Sequence, residues 1–427
     1  MHRKPRMSRR AFAVTALSGL VAAGGVAAGT AMAGAGGEVE GKSGRRRASG
    51  ELRGMWLATV ANRDWPSKPG LTAAEQRAEL IAHLDMAEKR RLNAVIFQVR
   101  PTADALWPSP YEPWSHYLTG TQGKDPGWDP LGTAVREAHA RGLELHAWFN
   151  PYRVAGHADP TKLAASHPAR THPDWVVTYG GKLYYNPGIP EVRAFVQKAM
   201  LDAVRRYPVD AVHWDDYFYP YPVAGQVFDD DAAYDRYGGG FPNRAAWRRD
   251  NIDKLVRETA AQIREIRPGT QFGISPFGVW RNASTDPLGS DTRAGVQTYD
   301  DLHADTRTWV RENWIDYICP QLYWSAHPLD QQVPANYAVL LPWWAKVARG
   351  SGTRLYIGEA LYKAGDPAQP AAWQNPAELS RHLTLAKKHP EVRGHVFFSA
   401  KEVKEDKIKA MARVVADHYQ QPARPPR

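Results

Sequence analysis

A closed (β/α)8 barrel is the fold this chain predicts, on two observations. Eight short apolar runs alternate with helical stretches, which implies βαβ units and a mainly parallel sheet. The connections also lengthen after the strands, on the side where such barrels carry their active sites. The apolar runs are 53–60, 93–99, 143–149, 210–215, 271–276, 316–322, 354–360 and 394–399. Helical patterning covers 73–91, 130–141, 190–206, 244–266, 301–313 and 376–388, with start signals at Asp129-Pro130 and Asn375-Pro376. The long connections are 100–129, 150–189, 217–243 and 277–300. They take the chain past the ~250 residues typical of the fold. An open doubly wound sheet is the competing arrangement, but no glycine-rich phosphate turn follows the first run.

Ahead of the barrel, residues 1–33 read as an export leader. Basic Arg3, Lys4 and Arg6 precede Ser8-Arg9-Arg10-Ala11-Phe12, a twin-arginine pattern. A small-residue apolar region follows, and Ala31-Met32-Ala33 fits a cleavage site. That region lacks the ~20 strongly apolar residues that spanning a membrane needs, so no integral segment is expected once the leader is removed. No cysteine for a lipid anchor lies near the cleavage site. The formal net charge is +10, and removing the five leader cations brings it to about +5. Residues 34–50 form a Gly/Ser-rich basic linker with Lys42, Arg45, Arg46 and Arg47, 51–419 form the barrel, and 420–427 are expected to be a disordered tail. This pattern predicts an exported protein, extracellular or associated with the cell wall. Nothing in it supports nucleic-acid binding. The single cysteine, Cys319, lies in an apolar run and is expected as a buried thiol.

The fourth run, Asp210-Ala211-Val212-His213-Trp214-Asp215-Asp216, ends in two adjacent carboxylates followed by Tyr217-Phe218-Tyr219-Pro220. Burying either acid unpaired is costly, so their charge must have a use. Aromatics beside paired acids are what a sugar-cleaving site requires: flat faces for the pyranose, carboxyls for the proton and the charge. Other strand ends carry the same mixture. Arg100 and Asp104 follow the second, and Asn150, Tyr152 and Arg153 the third. Trp280 follows the fifth, Gln321, Tyr323 and Trp324 the sixth, and Glu359 the seventh. Together with Tyr217 these are the candidate sugar contacts, Glu359 being held as a second carboxylate. For each arginine the competing reading is a salt bridge at the barrel mouth, and for each tryptophan plain packing.

Several stretches are similar to a known family. Arg53-Gly54-Met55-Trp56-Leu57, Phe97-Gln98-Val99-Arg100-Pro101, Tyr111-Glu112-Pro113-Trp114-Ser115 and Leu118-Thr119-Gly120-Thr121-Gln122-Gly123 are the first. Gly142 to Arg153, Asp215 to Pro220, Gly273-Ile274-Ser275-Pro276-Phe277-Gly278 and Pro320-Gln321-Leu322-Tyr323-Trp324 continue in the same order. Residues 51–402 thereby resemble the family-10 group of glycosyl-hydrolase-like proteins of bacterial envelopes. The resemblance implies a (β/α)8 fold and glycosidase activity, with peptidoglycan glycan stripped of its stem peptides as a proposed substrate. It leaves linkage and mechanism open.

Two mechanisms fit the residues. In one, Asp216 as acid and Glu359 flank the scissile bond, about 5–5.5 Å apart for retention or 6.5–9.5 Å for inversion. In the other, a 2-acetamido group of the substrate attacks the anomeric carbon, one acid orients that group and its neighbour protonates the leaving oxygen. Trp214-Asp215-Asp216 is similar to the paired-aspartate motif of barrel hydrolases that remove O-linked N-acetylglucosamine, which makes Asp215 the orienter and Asp216 the general acid. One objection is geometric: consecutive strand residues face opposite ways, so the strand must end by Asp215 for both to reach the cleft. The competing reading has one Asp merely fixing a loop through Arg100 or Arg153. No cofactor and no metal are expected, since the first run lacks His-x-His and His146 and His213 stand alone in the sequence. The expectation is an exported, cofactor-free glycoside hydrolase acting on N-acetylated cell-wall glycan. Its rivals are a two-carboxylate hydrolase of another polysaccharide and a glycan-binding barrel without catalysis.

Overall fold

The computed structural model describes residues 50–327 and 334–426. The leader and almost all of the basic linker lie outside the described residues. The strands are β1 (Leu52–Leu57), β2 (Ala94–Arg100), β3 (Glu144–Phe149), β4 (Arg153–Ala155), β5 (Val176–Tyr179), β6 (Lys182–Tyr185), β7 (Ala211–Trp214), β8 (Gln271–Ile274), β9 (Tyr317–Ile318), β10 (Arg354–Glu359) and β11 (Val392–Phe397). Eight of them close a parallel barrel in the order β1-β11-β10-β9-β8-β7-β3-β2. The open-sheet alternative is thereby removed. All eight expected apolar runs supply the barrel strands; β2 and β11 keep their length but shift by one or two residues, and the others are shorter than expected, β9 most of all.

Helices Ala73–Lys89, Pro130–Ala140, Pro190–Arg206 and Arg244–Ile266 form where periodicity put them. The first starts on a capping box in which Thr72 and Glu75 satisfy each other's backbone N–H groups. Expected helix 301–313 is instead two pieces, Thr298–Asp301 and Thr306–Arg311, with His303 between them in a left-handed conformation. Helix Tyr337–Ala348 was not expected, because Pro342 interrupts its pattern. The long connection after β3 folds into a small antiparallel sheet, order β4-β6-β5, that walls one side of the barrel mouth.

Alternate strand residues point to the axis, as the pleat requires. The axis is polar for much of its length. The Tyr317 hydroxyl lies 2.8 Å from His213 Nδ1 and 3.0 Å from His146 Nδ1, and His146 Nε2 meets Glu144 at 3.1 Å. The two histidines that stand alone in the sequence therefore share one tyrosine. A Cβ on Gly273 would lie 2.0 Å from the Tyr317 ring, so only glycine leaves space for it. Cys319 is buried beside this column.

The C-terminal residues 420–426 do not trail free as expected. The Glu51 N–H donates to the Arg424 carbonyl at 2.9 Å, Arg53 to the Gln421 carbonyl at 2.8 Å and the Asn93 amide to the Ala423 carbonyl at 3.1 Å. Donors left over at the starts of β1 and β2 take these carbonyls and pin the segment under the barrel. Among the described residues no helix is long and apolar enough to cross a membrane.

Candidate active site

A cleft of about 360 Å³ opens at the C-terminal ends of the strands. β7 stops at Trp214, so Asp215 and Asp216 leave the pleat before the alternation can separate them, and both line this cleft. That removes the geometric objection. Phe149 and Trp214 are paired across the β3–β7 ladder, which brings the next residues, Asn150 and Asp215, side by side. Asp215 accepts the Trp148 indole N–H at 3.0 Å, the Asn150 side-chain amide at 3.1 Å and the Tyr217 backbone N–H at 3.3 Å. Asp216 accepts the Tyr221 hydroxyl and, at 3.1 Å, the Gln321 amide. Gln321 is fixed in turn by the Ser275 carbonyl at 3.0 Å.

Both carboxyls are nearly enclosed, and burial is the main force on each. Burial and the neighbouring Asp216 charge push Asp215 up to about 6, against the Arg153 charge and the Asn150 and Trp148 hydrogen bonds. Burial also raises Asp216, opposed by the Tyr221 and Gln321 donors. Two adjacent acids that feel each other's charge titrate as a pair, so a proton held there belongs to both together. Arg153 lies with its guanidinium 4.1 Å from the centre of the Tyr217 ring, beside the pair. The remaining lining is largely aromatic, including Trp56, Tyr323, Tyr362 and Phe398. Flat apolar faces around two acids and an arginine can hold a sugar and exchange a proton with it.

Of the sequence candidates, Asp215, Asp216, Arg153, Tyr217, Gln321 and Tyr323 line the cleft. Asn150 is fully buried behind it and acts on Asp215 rather than on a ligand. Glu359 is a correction. It is enclosed on the helix side of β10, where it accepts the Tyr337 hydroxyl at 3.0 Å, His382 Nδ1 at 2.7 Å and His395 Nδ1 at 2.9 Å. It cannot flank a scissile bond with Asp216. Arg100 is also corrected: its guanidinium forms two 2.6 Å bonds to Glu112 and holds the Asn150 and Pro151 carbonyls, all buried. Tyr152 is fully buried away from the cleft. Trp280 gives its indole N–H to Asp305 at 2.9 Å and stacks on Trp343. Trp324 packs edge-on against Phe277, outside the lining. Asp104 is fully buried outside the cleft, where it accepts the Gln122 amide at 3.4 Å.

Sequence reasoning did not assign Trp56, Trp148, Tyr221, Ser275, Tyr362 or Phe398 to the site. For Trp148 a signal existed, since it is two residues beyond inward-facing His146 on the same strand. Trp56 likewise shares its face with Gly54. Tyr221 offers no such signal: it follows Pro220 in an irregular segment, and only the turn brings it onto Asp216.

A closed parallel barrel with two adjacent acids at its C-terminal mouth places the chain in the class of (β/α)8 proteins that carry a site at that face. Among solved structures, the glycoside hydrolase domain of PgaB (BpsB) from Bordetella bronchiseptica has this fold. It matches at a TM-score of 0.55 and 12% identity, covering 85% of this chain and 97% of that one. The chain belongs to the glycosyl hydrolase-like 10 family, which matches residues 51–375. Glycosyl hydrolase YngK of Bacillus subtilis (strain 168) is 51% identical over 375 residues, 87% of this chain and 72% of YngK. Glycosyl hydrolase DigH of Escherichia coli (strain K12) is 43% identical over 373 residues, 83% of this chain and 84% of DigH.

Proposed function

We propose that this protein is an exported glycoside hydrolase that cleaves N-acetylated cell-wall glycan, peptide-free peptidoglycan strands, by substrate-assisted catalysis. The observation that carries the reading is the pair Asp215 and Asp216, adjacent, open to one cleft, separately hydrogen-bonded and both raised by burial. The acetamido route needs one neighbour charged and the other protonated, and two adjacent carboxyls that are both raised by burial support such a division of roles. Asp215, locked by Trp148 and Asn150, accepts the acetamido N–H. The acetamido carbonyl oxygen then bonds to the anomeric carbon as the glycosidic C–O bond breaks, and the Asp216 proton passes to the leaving oxygen. The N–H proton stays on nitrogen, hydrogen-bonded to Asp215, so the intermediate is an oxazolinium ion. Water, deprotonated by Asp216, attacks its anomeric carbon, which re-forms the acetamido group and restores the Asp216 proton. The enclosure of Glu359 supports this route over the two-carboxylate one, whose second acid it was to be.

The test is product release from peptide-free peptidoglycan glycan by mass spectrometry, with wild type and Asp216→Asn, and inhibition by a thiazoline analogue of the oxazolinium ion. Cleavage by wild type alone, blocked by the thiazoline, is expected. Cleavage insensitive to the thiazoline would refute the acetamido route. No cleavage by either protein would turn the reading to another polysaccharide or to binding without catalysis.

A further inference from the structure

Among the described residues Arg153 is the only positively charged side chain lining the cleft. Other cations near the mouth are committed to the protein. Arg63 pairs with Glu402 at 3.0 Å, Lys363 Nζ holds the Tyr323 carbonyl at 2.7 Å, and Arg100 is locked to Glu112. Arg153 is half-buried, yet among the described residues no carboxylate lies within the 4.0 Å of an ion pair with it. Asp215 and Asp216 draw their hydrogen bonds from Trp148, Asn150, Tyr217, Tyr221 and Gln321 instead. The guanidinium is left to meet a ligand.

Its place is fixed. Asn150 Oδ1 takes the Arg153 backbone N–H at 2.9 Å, while the amide of the same side chain holds Asp215. The guanidinium lies 4.1 Å from the centre of the Tyr217 ring, and Tyr217 gives its own backbone N–H to Asp215. Both contacts set the cation beside the acid that takes the acetamido group. A guanidinium presents its N–H donors in a planar fork that a carboxylate meets two at a time. A ligand closing over it removes its water, and hydroxyls alone compensate a charge poorly.

Peptide-free peptidoglycan supplies the matching group. On its N-acetylmuramic acid residues a lactyl ether on C3 ends in a carboxylate, next to the acetamido group on C2. In a strand still carrying stem peptides that carboxyl is an uncharged amide. We infer that Arg153 pairs with the free lactyl carboxylate of a muramic acid residue in the cleft, and so selects glycan stripped of its peptides. The inference rests on the cleft being a site for that glycan, and deepens that reading by naming the residue that reads the substrate.

The test compares peptide-free peptidoglycan glycan with the same glycan after its lactyl carboxyls are converted to methylamides. The wild-type kcat/KM is expected to be at least about tenfold higher on the free acid, which is what a charge-assisted hydrogen bond contributes. In Arg153→Gln the ratio is expected to fall close to one, with the melting transition intact. Loss of the Arg153 charge acts on Asp215 and Asp216 with either substrate, so the ratio isolates the carboxylate contact. Should that variant lose its transition, Arg153→Lys, which keeps the charge without the fork, is expected to lower the ratio. Calorimetric binding of both glycans to Asp216→Asn, with and without Arg153→Gln, reads the same preference without turnover. Equal values on the two glycans in the parent proteins, or a ratio that survives the substitution, overturns the inference. Preferential binding of the free acid without cleavage by wild type would defeat the hydrolase reading and leave Arg153 in its role. Equal cleavage of both glycans would do the reverse, and binding of neither would defeat both.

Discussion

Asn150 donates its side-chain amide to Asp215 at 3.1 Å, and this contact is a direct product of strand register. Phe149 and Trp214 are the last paired residues of β3 and β7, so the first residue beyond each strand meets the other. Asp215 is thus held from the strand ends of the barrel, whereas Asp216 takes the hydroxyl of Tyr221 from the following loop. Asn150 Oδ1 also accepts the Arg153 N–H at 2.9 Å, so one side chain sets both the acid and the turn carrying the cation.

The two aspartates should be separable by leaving group. Asp216→Asn is expected to lose natural glycan. With an aryl 2-acetamido glycoside it is expected to keep the first step, a burst of released phenol, because that leaving group needs no proton, while slow opening of the intermediate limits steady turnover. Asp215→Asn should lose both, since nothing then orients the acetamido group. Burst and steady-state rates on the two substrates decide it, and the opposite pattern would exchange the roles.

Tyr221→Phe should move the alkaline limb of kcat/KM to higher pH. The Tyr221 hydroxyl bonded to Asp216 holds its pKa down, so removing it lets the acid keep its proton longer. A pH–rate profile measures this, and a limb moving to lower pH would contradict the contact.

Glu359→Gln should cost stability and leave the chemistry in place. Burial would raise the Glu359 carboxyl, but the His382 charge and the hydrogen bonds from His382 and His395 hold it below its usual 4.5. Burial would lower His382, but Glu359 and Glu378 hold it above its usual 6.5. The carboxylate contributes stability that is present above 4.5 and is lost as pH falls through its lowered value. The imidazolium contributes stability present below 6.5 that is lost as pH rises through its raised value. The difference in unfolding free energy between wild type and variant should therefore be greatest between these two values. Urea titrations across pH read it, and a gap constant with pH would show that charge is not involved.

Arg100→Ala should behave as a stability variant. Its bidentate pair with Glu112 is fully buried, and leaving one partner of such a pair uncompensated costs about 3–5 kcal/mol. A lowered melting temperature with KM unchanged in the folded fraction is expected. A rise in KM without loss of stability would return Arg100 to the substrate.

The barrel was legible in the sequence because alternating apolar runs and helices have few other ways to pack, and Asp215-Asp216 because no strand end carries two charges idly. Depth was not legible. Glu359 and Asp215 both stand at a strand end, yet Gly358 faces the axis, where a Cβ would lie 3.0 Å from Trp56, so Glu359 must face the helices. Arg100 follows a shift in the β2–β3 register after Gln98, which simple alternation does not anticipate. Its partner Glu112 arrives from a loop that no periodicity describes. The small sheet β4-β6-β5 was hidden for the same reason, because its strands of three or four residues are too short to show a period.

Gly50 lies against Pro426 at the underside of the barrel, and the cleft opens at the opposite pole. A tag, a surface or a fusion partner joined ahead of Gly50 or behind Pro426 would therefore stand clear of the opening. Immobilised by either end, the molecule would present its mouth outward, so a long insoluble polymer could reach it without passing the point of attachment.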